Sequence, residues 1–295
     1  MTSDTIDSPE FLTVRELADL LRIKERKVYD LAASGEVPCS RVTGKLLFPA
    51  REIRDWIERA RSGGRAEAPA RPPIVLGSHD PLLDWSIRQS QSGLATFFDG
   101  SMDGLDRFAR GEGIAAGLHI RDAGSGDWNR PAAARAARGL NAVLISFASR
   151  RRGLVIADNL PAIDGIAGLS GLRFTPRQED SGTAILFCEM VASSGLDLSR
   201  VALQPVARTE DDAVESVRRG EADATFGLES VARSFGLRFV PVIEEHYALL
   251  VDRKAWFDPG FQKLIGFCQS GAFRQRAEGY GGYDVRETGK VLWNA

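Results

Sequence analysis

Apolar positions recur along this chain in two rhythms, and the change falls near residue 73. Before it, large aliphatic residues come three and four apart, the spacing of one helix face. Leu17, Leu20 and Leu21 form such a stripe, opened by Thr13-Val14-Arg15-Glu16. That tetrapeptide is a capping box, in which hydroxyl and carboxylate satisfy each other's free backbone donors. Ile23-Lys24 interrupts the stripe. A second helix is predicted over 25–33, with Val28 and Leu31 inward, Lys24, Arg26, Lys27 and Tyr29 outward, and Gly35 as its left-handed cap. Residues 39–42 and 45–48 flank the turn Thr43-Gly44 as a short hairpin, and Pro49 opens a third helix carrying Ile53, Trp56 and Ile57.

Beyond Pro73, short apolar runs alternate with amphipathic stretches, the pattern of an α/β fold with largely parallel sheets. Strands are predicted at 74–77, 94–98, 114–118, 141–146, 153–157, 201–205, 224–227 and 247–251, with helices over 104–110 and 184–192. Residues 108–117 and 217–227 echo one another: in each a helix ends at a glycine and turns into a strand of small residues. That echo points to two similar lobes. Three segments follow: a helical domain at 10–61, a Gly- then Pro-rich linker at 62–73, and an α/β domain at 74–295. Within the last, one lobe comprises about 74–150 and 246–295 and the other about 151–245, with chain crossings near 150–155 and 241–246.

Composition narrows the function classes. The formal net charge of the 295 residues is -2, so any nucleic-acid surface is local, and residues 13–61 carry only 11 basic against 8 acidic residues. No apolar run approaches the roughly 18 to 20 residues of a membrane span. Met1 to Glu10 has no signal-peptide character. Cys39, Cys188 and Cys268 are too few and scattered for a disulfide framework or a zinc site, which points to a cytoplasmic setting. His79, His119 and His246 do not read as a metal triad, and neither a Walker loop nor a nucleophile elbow occurs. Catalysis is not expected, and no cofactor is implied.

The helix-turn-helix-wing-helix order over residues 10–60 resembles the excisionase-type, MerR-like winged helix-turn-helix. The matching residues are Leu12-Thr13-Val14, Glu16-Leu17-Ala18, Val28-Tyr29, Leu31, Gly35-Glu36-Val37-Pro38, Phe48-Pro49, Ile53 and Trp56. The resemblance implies binding to double-stranded operator DNA. Lys24, Arg26, Lys27 and Tyr29 would lie on the recognition helix, with Arg41 and Lys45 on the wing. So small a module makes few contacts, and a homodimer is expected.

Most of residues 74–252 resembles the type 2 periplasmic-binding-protein-like domain, close to molybdate and tungstate receptors. The stretches that carry this include Gly77-Ser78-His79-Asp80-Pro81, Gly100-Ser101-Met102-Asp103-Gly104, Gly117-Leu118-His119, Arg150, Arg177-Gln178, Ser181-Gly182-Thr183, Ala222-Asp223-Ala224 and Glu245-His246-Tyr247. The resemblance implies a small-anion cleft drawing on Ser78, Ser101, His119, Arg150, Arg177, Ser181, Thr183, Asp223 and Tyr247. The hydroxyl residues stand at predicted helix starts, where backbone N–H groups favour an anion. Arg150 and Arg177 offer planar forks suited to an oxyanion or a carboxylate.

Two positions depart from the family pattern. Ala184 stands where a second arginine is frequent, and Pro176 where asparagine is usual. Less positive charge is also compatible with a less charged ligand. The function expected is a one-component transcriptional regulator sensing a small anion, molybdate or tungstate by the resemblance, with a small organic acid as the alternative. Its rival is a cytoplasmic ligand receptor for molybdenum-cofactor handling whose N-terminal module binds protein.

Overall fold

Thr13 starts the first helix as its sequence requires. Its hydroxyl accepts from the Glu16 amide at 3.3 Å, and the Glu16 carboxylate accepts from the Thr13 amide at 2.7 Å. In this computed structural model residues 10–41, 44–60 and 70–295 are described, and the chain divides into two units, 1–70 and 71–295. The first contains β1 (Phe11–Leu12), α1 (Val14–Leu21), α2 (Glu25–Ala33), β2 (Phe48–Pro49) and α3 (Ala50–Arg59). Leu17, Ala18, Val28, Ala32, Val37, Phe48 and Ile53 close its core. Leu20 departs from the expected stripe: the buried face runs through Leu17 and Ala18, so Leu20 points to solvent and is 53% exposed. Pro49 also differs, because it pairs with Phe11 in a two-stranded sheet and α3 begins one residue later. Ser40 and Leu47 exchange backbone hydrogen bonds of 2.7 and 3.0 Å at the base of the expected wing. Residues 42–43 of the expected hairpin, residue 61 and residues 62–69 of the linker lie outside the described residues.

Arg71, assigned to the linker by composition, instead belongs to the second unit. Its guanidinium donates to the Gly113 carbonyl at 3.1 Å, pairs with Asp252 at 3.2 Å and covers the Phe108 ring. From there run β3 (Ile74–Gly77), α4 (Pro81–Gln89), β4 (Ala95–Phe98), α5 (Ser101–Ala109), β5 (Ala115–Leu118), α6 (Arg130–Ala136) and β6 (Ala142–Ile156). Next come β7 (Arg173–Thr175), α7 (Gly182–Ser194), β8 (Ala202–Leu203), α8 (Glu210–Arg218), β9 (Ala224–Leu228), α9 (Glu229–Ser234) and β10 (Arg238–Asp252). The chain ends with α10 (Pro259–Cys268), α11 (Gly271–Tyr280), β11 (Tyr283–Asp284) and β12 (Val291–Asn294).

The strands form one mixed sheet in the order β4-β3-β5-β10-β6-β9-β7-β8, with β11 and β12 also paired to β6. Its flanks are parallel and its centre is antiparallel. This corrects the largely parallel sheet expected. The runs at 141–146 and 153–157 are one strand of 15 residues, and 247–251 is the end of another. These two strands, β6 and β10, cross the whole unit side by side, with register shifts at 241/243 and 247/248. One set of helices packs a core around Val75, Leu83, Phe147, Leu249 and Phe261, and another packs around Leu154, Phe174, Leu186 and Phe226. The result is a two-lobed, periplasmic-binding-protein-like fold.

Arg150, Arg151 and Arg152 fall between the strands expected at 141–146 and 153–157, and the structure carries β6 through them. A strand points alternate residues to opposite sides. Accordingly Arg150 and Arg152 are buried at 1% exposure, while the Arg151 side chain is 51% exposed beside Glu229. The internal echo also has a structural counterpart. After α5, Arg110 is followed by Gly111 at φ +82°, and after α8, Arg219 is followed by Gly220 at φ +73°; each turn feeds a strand, β5 or β9. Such positive φ is open to glycine without steric cost.

Candidate functional site

A cavity of about 300 Å³ opens within the second unit, between residues that follow β3, β4 and β5 and the N-terminal ends of α7 and α8. Ser78, His119, Arg177, Ser181 and Thr183, all expected at the site, line it. The structure also brings to its wall His79, Asp99, Gln178, Arg208, Thr209, Glu210 and Asp211, which were not expected there. A sequence signal for the last group existed: Thr209 and Asp212 form a reciprocal capping box that starts α8.

The hydroxyls differ in how far they are already used. Ser78 and Ser101 Oγ atoms lie 2.8 Å apart, and Ser101 Oγ also accepts from the His119 amide at 3.2 Å. Ser101 therefore sits beneath Ser78 and supports it. Ser181 Oγ caps α7 by accepting from the Ala184 amide at 3.1 Å. Thr183 has no side-chain hydrogen bond among the described residues and is the least committed hydroxyl on the wall. At the α4 start the cap is Asp80, whose carboxylate accepts from the Leu83 amide at 2.7 Å. The expectation that Ser78 stands directly at a helix start gives way to that finding.

Three other expected ligand contacts are placed elsewhere. Tyr247 lies behind the wall at 1% exposure and donates its hydroxyl to the Ser78 carbonyl at 2.5 Å. That approach needs Gly117, because a Cβ there would stand 1.9 Å from the Tyr247 hydroxyl oxygen. Arg150 does not reach the cavity. Its guanidinium donates to Asp80 at 2.7 Å and to Glu245, and stacks 4.3 Å over the Tyr247 ring. Asp223 precedes β9 and binds Arg173, accepting from its guanidinium at 2.7 Å and its amide at 2.8 Å. Both residues are consumed by oppositely charged protein partners, which corrects the expectation that they serve a ligand.

Behind the cavity these groups form a buried ionic cluster across the two long strands. Glu245 on β10 accepts from Arg150, from Arg152 Nε at 2.8 Å and faces His119 Nδ1 at 3.1 Å. Arg152 also reaches Glu210 at 3.2 Å, and Glu210 in turn accepts from the Leu228 amide at 2.5 Å. Burial works to raise the Glu245 carboxyl, but Arg150 and Arg152 outweigh it and hold it well below the ordinary carboxylate range. Burial lowers His119, with Glu245 opposing the shift only in part. Burial raises Asp211, and its carboxylate neighbours Glu210 and Asp212 push the same way.

The charge balance on the cavity wall is close to even. Arg177 donates to the Ala207 carbonyl at 3.1 Å and the Arg208 carbonyl at 2.7 Å and has no carboxylate partner among the described residues. Exposed Arg208, Asp99 and Asp211 line the same cavity, as does Glu210, which is already paired with Arg152. No group of three or more His, Cys, Asp or Glu arranged to hold a metal occurs among the described residues.

In the first unit Lys24 precedes α2, and Arg26, Lys27 and Tyr29 all face solvent on its exposed side, with Tyr29 51% exposed. Arg41 and Lys45 are also exposed, on either side of the wing turn. No described helix is long and apolar enough to cross a membrane.

Comparison with known proteins agrees with this division. A family model described as a helix-turn-helix domain matches residues 11–61. One described as a PBP superfamily domain matches residues 85–269. Uncharacterized protein YvgK of Bacillus subtilis (strain 168) is 25% identical over 300 residues, covering 95% of this chain and 97% of that protein. An uncharacterized protein in the ferredoxin 2Fe-2S gene 5′ region of Clostridium pasteurianum is 35% identical over 78 residues, covering 26% of this chain and 69% of its own length. Two solved structures share the fold. An H2O2-bound mutant of Corynebacterium glutamicum OxyR has a TM-score of 0.51 at 13% identity, over 91% of this chain and 89% of that one. A putative phosphate ABC transporter substrate-binding protein with bound phosphate from Clostridium perfringens has a TM-score of 0.50 at 12% identity, over 70% of this chain and 96% of that one. Since the second family model spans well over half of the residues, this chain, which also carries a helix-turn-helix domain, belongs to the PBP superfamily.

Proposed function

We propose that this protein is a cytoplasmic, dimeric, one-component transcriptional regulator that senses a small anion. The observation that carries this reading is the union in one chain of a helix-turn-helix domain and a two-lobed domain with a polar cleft. The first offers Lys24, Arg26, Lys27 and Tyr29 to operator DNA, with Arg41 and Lys45 on the wing. In the second, Ser78, Thr183 and Arg177, with the helix ends beside them, present hydrogen-bond donors to one open cavity. Ligand that touches both lobes binds best when they are closed, and so shifts the population of closed molecules.

Resemblance favours molybdate or tungstate as the ligand. A small organic acid is favoured by the cleft itself, where Asp99 and Asp211 offset Arg177 and Arg208 and no surplus positive charge awaits a dianion.

Electrophoretic mobility shifts of operator DNA, with and without ligand, test the reading. The Lys27→Ala and Arg26→Ala variants should each lose about 1–3 kcal/mol where the side chain reads a base edge. Where it holds a phosphate, affinity should fall evenly across sequences and the salt slope should drop by about 1. Wild-type affinity in both variants would remove α2 as the DNA reader. Operator binding indifferent to every small anion would remove the sensing role.

A further inference from the structure

His119 lines the cleft and also touches the buried ionic cluster, and that contact decides what its other nitrogen can do. Glu245 lies between Arg150 and Arg152 and is held as a carboxylate, so it can only accept hydrogen bonds. The proton between Glu245 and His119, 3.1 Å away, must therefore sit on Nδ1. The ring is 4% exposed, and burial disfavours a second proton. It also abuts the N-terminus of α7. A Cβ on Gly182 would come within 2.9 Å of the imidazole, so only glycine lets the helix end approach so closely. The positive end of the α7 dipole adds to the penalty on an imidazolium. Nε2 has no protein hydrogen bond among the described residues, and it is left with an unshared lone pair at the cavity wall.

We propose that His119 Nε2 is a fixed hydrogen-bond acceptor that makes this cleft select small anions bringing one O–H or N–H donor. A monoprotonated tetrahedral oxyanion and a short α-hydroxy acid share that chemistry; sulfate, molybdate and tungstate, carrying no proton near neutral pH, do not. A donor-free oxyanion would set its oxygen lone pair against the Nε2 lone pair of a buried ring, where an unpaired polar group is costly. Asp99 and Asp211 add acceptors on the same wall. The inference rests on reading the cleft as a small-anion site, and it names which anions.

The test uses the full-length protein at pH 8 and ligands that differ by one donor: phosphate against sulfate, arsenate against molybdate, and glycolate against methoxyacetate. Calorimetry on each pair should show the donor-bearing member binding about 10- to 100-fold more tightly in the pair whose shape fits. The phosphate and arsenate arms report a tetrahedral ligand and the glycolate arm an organic acid. His119→Phe should collapse the preference. Because that variant leaves Glu245 short of a donor, the side-chain nitrogen shifts of ligand-free wild-type protein give an independent readout. They should show a protonated Nδ1 and an unprotonated Nε2 on His119. A proton on Nε2, or equal or inverted affinity within a pair that binds, overturns the proposal and leaves the anion site standing. If no member of any pair binds, the small-anion reading itself falls, and this inference with it.

Discussion

Arg150 and Arg177 were both expected to meet a ligand, and the structure gives them opposite surroundings. Arg150 is buried, its fork divided between Asp80 and Glu245, and its planar guanidinium face lies over the Tyr247 ring. Arg177 stands at the cavity wall and is held, among the described residues, by the Ala207 and Arg208 carbonyls. The two regions solve different problems. Behind the cavity, positive and negative groups cancel so that two long strands can cross the unit with polar side chains inside. On the wall, hydrogen bonds to neutral carbonyls fix the guanidinium without spending its charge. Burial of an arginine therefore says little about ligand binding until its partners are named.

The sharpest way to break this contrast is Arg150→Met. It removes a cation from between two buried carboxylates and should cost about 3–5 kcal/mol, the usual result of orphaning a buried charge. Denaturant unfolding followed by tryptophan fluorescence would measure it. A loss below about 1 kcal/mol would mean that the cluster is open to water.

Acidification should sharpen the same contrast in two stages. His119 lies below its ordinary value of 6.5 in the folded protein. Its contribution is complete above that value and declines as pH falls through it, because the unfolded chain then takes up a proton that the folded protein refuses. Glu245 also lies below its ordinary value, here 4.5. Its contribution persists at lower pH and is lost only once pH falls below the ordinary carboxylate range. A melting-temperature scan from pH 8 to pH 4 should show the first decline in wild type, and His119→Phe should remove it. An unchanged first stage in that variant would assign it to another group.

The smallest expected stability effects are those of Arg177→Ala and Arg151→Ala, each within about 1 kcal/mol, since neither leaves a buried charge alone. Only the first should abolish the thermal stabilisation produced by whichever anion binds. Loss of that response in Arg151→Ala as well would show that the cavity wall does not act alone.

Legibility differed between elements for physical reasons. Local signals survived well. The Thr13 box starts α1, and strand β3 has the bounds its sequence predicts. The turn after α5 and the turn after α8 share their left-handed glycine. Signals that depend on distant partners did not survive. The run Arg150-Arg151-Arg152 read as a gap between strands because its compensating acids, Asp80, Glu210, Glu229 and Glu245, lie 58 to 95 residues away in sequence. The cavity residues of α8 were missed for a related reason, since a capping box marks a helix start without telling which helix starts converge.

By itself, then, the sequence determined the order of elements, the change from helical to α/β patterning and the hydroxyl-rich helix starts. Hydrogen bonds and side-chain periodicity within a few residues are enough for those. Only the tertiary structure decided that β6 and β10 are continuous, that Arg150 is ion-paired with carboxylates while Arg177 is not, and that His119 Nδ1 meets Glu245. Those outcomes depend on which charges meet after folding. Coulomb energies in a buried environment depend on separation and on the partners present, and neither is written in the spacing of residues along a chain.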